Sequence, residues 1–443
     1  MGSSNRLSRG LARGGRPAGA GRARVGRTSA GRANAGRANA IISVTGGLIG
    51  ALALGFAPFV SFRPNRIVEG DPASAVSALG FAGWVALVLL LLAGLAAPAL
   101  WSGRREGKAG EKGIRTRVRG FSGVVRGLLA TAALLILLAE TGRVASEFAA
   151  GQSPAARTSF GWGFYVFLFA LFLVLYAASA DTPSRSGRIV IGLAPLLGVV
   201  LLAAFGALGE LGIVREWSLT RDTFVPELTR HLFYALGATI GAIIFGVPLG
   251  IWAARSKKAE TVIMGALSLG QVLPVLAFVG IMIPILGSLS DRVPLLEALG
   301  ISGIGWAPVM VVLFIYALFP VTRNTLVAIQ QLDPGVLDSA KGMGMGRWRS
   351  LKEVELPLAF PVVLAGIRIA LVQSTAGAII AAFVGGGGLG TIMFMGLEQT
   401  SMDLVLVGVI PIVVLALFFD TLLRGVERLS AGGRQIDTDL SGA

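Results

Sequence analysis

The stretch from Leu332 to Pro361, LDPGVLDSAKGMGMGRWRSLKEVELPLAFP, carries the residue pattern best suited to a specific task. Asp333-Pro334 suits a turn that starts a helix, and Gly342, Gly344 and Gly346 interrupt the chain soon after it. Arg347 and Arg349 flank Trp348, an aromatic suited to a membrane interface. Leu351, Val354 and Leu356 then give an apolar face to a short amphipathic helix whose polar positions are Lys352, Glu353 and Glu355. Pro357 stands where a new helix would open. Such a segment is a short amphipathic connector between spans, and it holds no nucleophile–base pair. The whole chain lacks cysteine and has one histidine, His231, which excludes thiolate chemistry and argues against a histidine-based metal site. No Walker A sequence occurs, and no residue is expected to be catalytic. Gly385, Gly386, Gly387 and Gly388, read alone, make a flexible turn.

The elements that position these residues must lie in lipid. Hydrophobic residues make up 54% of the 443 positions and charged residues 14%, where a soluble domain carries roughly 25% charge. Runs near the 20 apolar residues or so that a span needs occur at 41–62, 79–101, 121–139, 160–180, 189–213, 232–254, 261–286, 306–322, 358–384 and 403–423. These predict an all-α membrane protein of about ten transmembrane helices. With the N-terminus inside, the inner segments hold 29 Lys and Arg and the outer segments 8, so both termini are expected in the cytoplasm. The net charge of +15 therefore reads as topology, not as nucleic-acid binding. Residues 1–40 hold nine arginines and no acid, and are expected to be a disordered cytoplasmic tail.

The chain divides near residue 215. Residues 41–215 form a five-helix region rich in Leu, Ala and Val, in which Arg126 is expected to snorkel to the interface. Residues 216–430 carry Pro248, Pro274, Pro284, Pro320 and Pro361 among polar groups, and 431–443 a short cytoplasmic tail. Proline and polar groups in a bilayer are tolerated where helices pack or line a wet path. Gln271, Gln373 and Ser374 are candidates for the wall of a translocation path, or for hydrogen bonds between helices. Arg368 lies deep in its span and is expected to have a structural partner, such as a backbone carbonyl. No Asp or Glu stands at mid-depth, which argues against an ion-coupled secondary transporter.

The spacing from Asp338 to Pro357 resembles the EAA loop of ABC importer permeases: Glu-Ala-Ala, Gly after three residues, then nine residues before Ile-x-Leu-Pro. Asp338-Ser339-Ala340 stands for the triplet, Gly344 for the glycine, Val354 for the isoleucine, and Leu356-Pro357 for the ending. GVPLGIWAARS, LPVLAFVGIMIPILG and AGIRIALVQSTAGAIIAAFVGGGGLG are similar to the osmoprotectant permeases, which serve glycine betaine, proline betaine, choline or carnitine. The resemblance implies a five-helix type I importer core behind an additional N-terminal membrane region. It implies that the 338–357 loop docks on a separate ABC ATPase, which binds ATP and magnesium, while this chain binds no cofactor. It further implies an extracytoplasmic solute-binding protein, a second permease copy or a homologous permease, and a small-molecule solute. A gate at Gly385–Gly388 and a multi-pass location in the bacterial cytoplasmic (inner) membrane follow from it too. Permeases for amino acids such as methionine share the loop, so another small solute is the alternative.

Overall fold

The computed structural model describes the backbone of residues 19–65, 68–101 and 109–440, with side chains over 35–65, 68–96 and 121–430. The chain forms two compact units that divide between Leu211 and Gly212. Among the described residues nine helices are long and apolar enough to cross a membrane, and the shorter apolar helix Phe81–Ala96 falls on the expected second span. Helices are the natural solution here, because a backbone in hydrocarbon must satisfy its own hydrogen bonds.

The first unit comprises α1 (Gly19–Phe56), α2 (Ala75–Leu79), α3 (Phe81–Trp101), α4 (Ala109–Ala150), α5 (Trp162–Asp181) and α6 (Arg185–Ala204). The backbone is helical from Gly19, so 19–40 depart from the expected disorder; Ala and Arg favour helix, and the apolar span carries the helix outward. Residues 1–18 lie outside the described residues. The first span also ends early. Ala57 precedes a proline, which disfavours further helix, and the chain turns into β1 (Pro58–Arg63). This strand pairs antiparallel with β2 (Asp71–Ser74) and β3 (Arg157–Phe160) in the order β2-β1-β3, an addition to the expected all-α architecture. Phe59 and Val60 are fully buried, and Phe59 packs edge-on against Phe160, Phe164 and Phe167.

Arg126 does not snorkel. Its side chain is 1% exposed and pairs with Asp181 at 2.5 Å. It also donates to Ser43 at 3.2 Å, while Asn39 donates to the other Asp181 oxygen at 3.1 Å. A charge in an apolar bundle is tolerated when it is paired and hydrogen-bonded. Residues from α1 and α5 supply those partners to Arg126 of α4, so pairing replaces the escape to the interface.

The second unit comprises α7 (Gly212–Arg255), α8 (Lys257–Val272), α9 (Val275–Arg292), α10 (Pro294–Ala298), α11 (Trp306–Gln330), α12 (Pro334–Gly342), α13 (Arg347–Ser350), α14 (Leu356–Gly377), α15 (Leu389–Glu398) and α16 (Met402–Leu440). Helix α11 is central: 67% of its most apolar window is buried, and it packs on α7, α8, α9 and α14. Its buried face includes Ala307, Ala317, Thr322, Thr325 and Ala328, small residues that let helices approach closely in lipid. The expected span at 261–286 is broken. Pro274 offers no N–H and forces Leu273 to an extended conformation (φ −67°, ψ 131°), so α8 and α9 are separate helices. At the C-terminus α16 continues through the expected tail to Leu440; residues 441–443 lie outside the described residues.

Candidate coupling connector and glycine gate

The 332–357 segment has three parts. Asp333 caps α12 by accepting a hydrogen bond from the Gly335 amide at 2.8 Å, and Pro334 occupies the first turn, where no amide is needed. Asp338 and Ser339 lie on its exposed side and Ala340 is buried. The helix is closed by a Schellman motif. The Met345 amide donates to the Ala340 carbonyl at 3.1 Å and the Gly344 amide to the Lys341 carbonyl at 2.9 Å. Closing it requires Gly344 at φ 77°, in the left-handed region that glycine occupies without a Cβ penalty. The glycine at this place in the spacing is thus the residue that reverses the chain.

Beyond it, α13 does not stop before α14 as separate amphipathic and membrane helices would. The two are joined by a single π turn, Leu351–Glu355, in which the Leu356 amide reaches back to the Leu351 carbonyl. Pro357 explains the wider turn: its ring would press on a carbonyl one turn back in a regular α-helix, and its nitrogen donates nothing. Leu351 is buried, and Val354 and Leu356 are partly buried, so the expected apolar face is present. Glu355, a polar position by spacing, is instead 9% exposed. It pairs with Arg255 at the end of α7 (3.2 Å) and accepts from Ser350 (3.1 Å). This ties the connector to the helix bundle. Val336, Met343 and Trp348 of the same segment are exposed by 40%, 69% and 76%.

At the other end of α14, a helix of 22 residues and so about 33 Å long, the chain tightens into a 3-10 turn, Ala378–Val384, and enters the glycine run. Gly385, Gly387 and Gly388 have φ of 70°, 77° and 91°. The run is not a loose turn. Glu227, Arg230, His231 and Tyr234, spaced as one face of α7, hold it from one side. The Gly388 amide donates to Glu227, a carboxylate well placed at the N-terminus of α15. Glu227 also takes Arg230 at 2.9 Å, and the Tyr234 hydroxyl donates to the Gly386 carbonyl at 2.6 Å. A Cβ on Gly387 would lie 2.7 Å from the Arg230 Cδ, so a side chain there would displace Arg230 as well as strain the backbone at φ 77°. His231 is fully buried and its Nε2 donates to the Thr375 carbonyl at 2.9 Å.

The other expected site residues are spread out. Gln271 donates to the Tyr316 carbonyl at 2.9 Å, and the Tyr316 hydroxyl donates to Leu273, so both close the break before α9 onto α11. Ser374 is 2% exposed, and its hydroxyl has no partner among the described residues. Gln373 beside it is partly buried. Arg368 finds carboxylates rather than carbonyls: Asp420 and Glu427 of α16, each at 3.1 Å. The α7 face at 227–234 escaped sequence reading, although its i, i+3, i+4, i+7 spacing was available as a signal; its partner loop is about 150 residues away.

Comparison with known proteins bears directly on this arrangement. Residues 246–430 match the family described as binding-protein-dependent transport system inner membrane component. The glycine betaine/carnitine/choline transport system permease protein OpuCB of Bacillus subtilis is 36% identical over 198 residues, covering 45% of this chain and 84% of its own. The chain belongs to the ABC importer permeases. Residues 39–214 of this permease match the N-terminal domain of the ABC transporter permease YehY. The carnitine transport permease protein OpuCB of Listeria monocytogenes is 37% identical to it, over 48% of this chain and 91% of its own. The osmoprotectant import permease protein OsmW of Salmonella typhimurium is 34% identical, over 48% and 94%. Among solved structures, a chain of an inward-facing methionine ABC transporter matches 46% of the permease and 95% of its own length, at 18% identity and a TM-score of 0.41. The permease is thus a transport subunit of the inner membrane and not itself an enzyme, and its family works with an ATPase and a binding protein.

Proposed function

We propose that the permease imports osmoprotectants of the glycine betaine, carnitine and choline class, and that α12 with residues 343–355 docks on a separate ATPase subunit. The observation that carries this reading is the connector itself. It is an exposed short helix, reversed at Gly344, carrying uncovered Met343 and Trp348, and anchored to the bundle through Glu355 and Arg255. A partner that pushes on α12 moves α14 and α7 together. Asp338, Ser339, Ala340 and Gly344 form the docking element in this reading, and Val354, Leu356 and Pro357 the joint. The solute class follows from the solutes for which the similar permeases are named.

The excess of Lys and Arg supports an orientation with both termini and the connector in the cytoplasm. Gly385–Gly388 then lie at the outer end, where a binding protein releases solute, and their hold on α7 suits a gate. A second copy or a homologous permease completes the path, to which Gln373 and Ser374 contribute; Gln271 we assign to holding the α8–α9 break. ATP and magnesium bind the partner ATPase. Uptake of labelled glycine betaine in whole cells tests the reading. It should stop on ATP depletion and persist with an uncoupler while ATP lasts; the reverse pattern contradicts an ATP-driven importer.

A further inference from the structure

Beside the glycine run lies an open cavity of about 390 Å³, within the size range of small-molecule sites. Its wall combines one cation with three aromatic rings: Arg230, Phe233, Tyr234 and Trp306, with Gly385 and Gly386 at the edge. We propose that this cavity is a substrate site of the permease itself, taking a zwitterionic quaternary amine with its carboxylate on Arg230 and its trimethylammonium against Phe233 and Trp306. The proposal rests on the osmoprotectant reading above and adds to it the residues that would sense the solute at the gate.

The chemistry fits in each part. Phe233 and Trp306 have ring centroids 5.8 Å apart with planes at 74°, so together they form a corner with π faces at an angle to each other. A quaternary ammonium is attracted to such faces when it sits within about 6 Å of a ring centroid. Phe233 is 50% exposed, so its face is open to a ligand. Tyr234 cannot turn away, because its hydroxyl is committed to the Gly386 carbonyl. Arg230 is 59% exposed at the side chain and gives one amino group to Glu227, leaving further N–H donors to face the cavity. A planar guanidinium matches a carboxylate in two parallel hydrogen bonds. Glu227 offsets the Arg230 charge, so the site does not repel the ammonium end as a bare cation would. The same Glu227 holds the Gly388 amide. Glu227 therefore touches Arg230 through one oxygen and the glycine run through the other, so a substrate carboxylate on Arg230 sits one side chain away from the contact that pins the gate.

The test uses the whole transporter, with its ATPase and binding protein, in proteoliposomes. Initial uptake of glycine betaine, which has a carboxylate, is compared with that of choline, which has none, with the binding protein saturated. Because the binding protein is unaltered, a change in the ratio of the two rates reports the permease. Arg230→Gln should lower the betaine-to-choline ratio by about tenfold, the loss expected for a charge-assisted contact, and Arg230→Lys should restore part of it. Phe233→Leu should slow both solutes, while Phe233→Tyr, which keeps a π face, should not. Equal loss of both solutes in Arg230→Gln, or equal behaviour of Phe233→Leu and Phe233→Tyr, overturns the site and leaves the transport reading standing. A wild-type transporter that moves neither solute overturns the transport reading and the site with it.

Discussion

Replacing Gly344 separates the connector's conformation from every other contribution. At φ 77° the residue lies in the left-handed region, and a Cβ built there meets no atom within 4 Å. Gly344→Ala therefore introduces no clash and removes no side-chain contact. Its cost is the conformational penalty alone, about 1–2 kcal/mol for an ordinary L-residue. Asparagine tolerates the same region better, so Gly344→Asn should cost less. If only the reversed connector docks, the apparent affinity for the ATPase falls with the fraction in that state, by at most about 5–30-fold for 1–2 kcal/mol. The assay is titration of purified ATPase onto the permease in nanodiscs, alongside the permease's own melting temperature. Binding should weaken in the order Gly, Asn, Ala, with the melting temperature unchanged. Alanine binding as tightly as glycine, or asparagine binding worse than alanine, would refute the argument that the Schellman reversal presents α12.

The packing gives three further expected outcomes. Gly390→Ala drives a methyl group directly into the Ile379 carbonyl, so unlike Gly344→Ala it should lower the melting temperature, by the equivalent of about 1–3 kcal/mol for overpacking. Arg126→Met leaves Asp181 without its cation, with only the Asn39 amide still donating to it; Asp181 is 23% exposed, so the loss should sit somewhat below the full cost of breaking a buried pair, about 2–3 kcal/mol, and Arg126→Met with Asp181→Leu should recover much of it in the same thermal assay. Glu355→Gln keeps the bond to Ser350 but weakens the tie to Arg255 by about 1–2 kcal/mol; ATPase binding should survive while solute moved per ATP hydrolysed falls.

Much of the fold and of the connector was legible in the sequence, and the hidden features share a common cause. The spans follow from composition, since a run of Leu, Ala and Val has one stable form in lipid. The connector follows from local spacing: Asp333 caps and Gly344 reverses within one short segment, whereas the wide turn before Pro357, which joins α13 to α14, stood in the sequence as the start of a new helix. The break at Pro274 was also a local signal, but the continuous apolar run around it reads as a single span. The strand Pro58–Arg63 was masked in the same way, being apolar enough to extend the first span. The ion pairs were not legible. Arg126 with Asp181, Arg255 with Glu355 and Arg368 with Asp420 join residues 52 to 100 positions apart. Nothing near either partner marks the other. The glycine run shows the limit most clearly: alone it is a flexible turn, and only the face of α7 makes it a fixed one.

The central claim is that the 334–355 connector is the surface an ATPase grips, and the chain's lack of cysteine makes a direct test clean. A single cysteine in place of exposed Ser339, with a short bifunctional thiol–amine cross-linker, should join the permease to its ATPase in membranes. A cysteine at Leu295, which is 66% exposed and lies beyond α9, should give no such product. Cross-linking at Ser339→Cys that responds to ATP is the predicted result. Its absence in a transporter that still imports solute, or an equal yield from Leu295→Cys, would contradict the account.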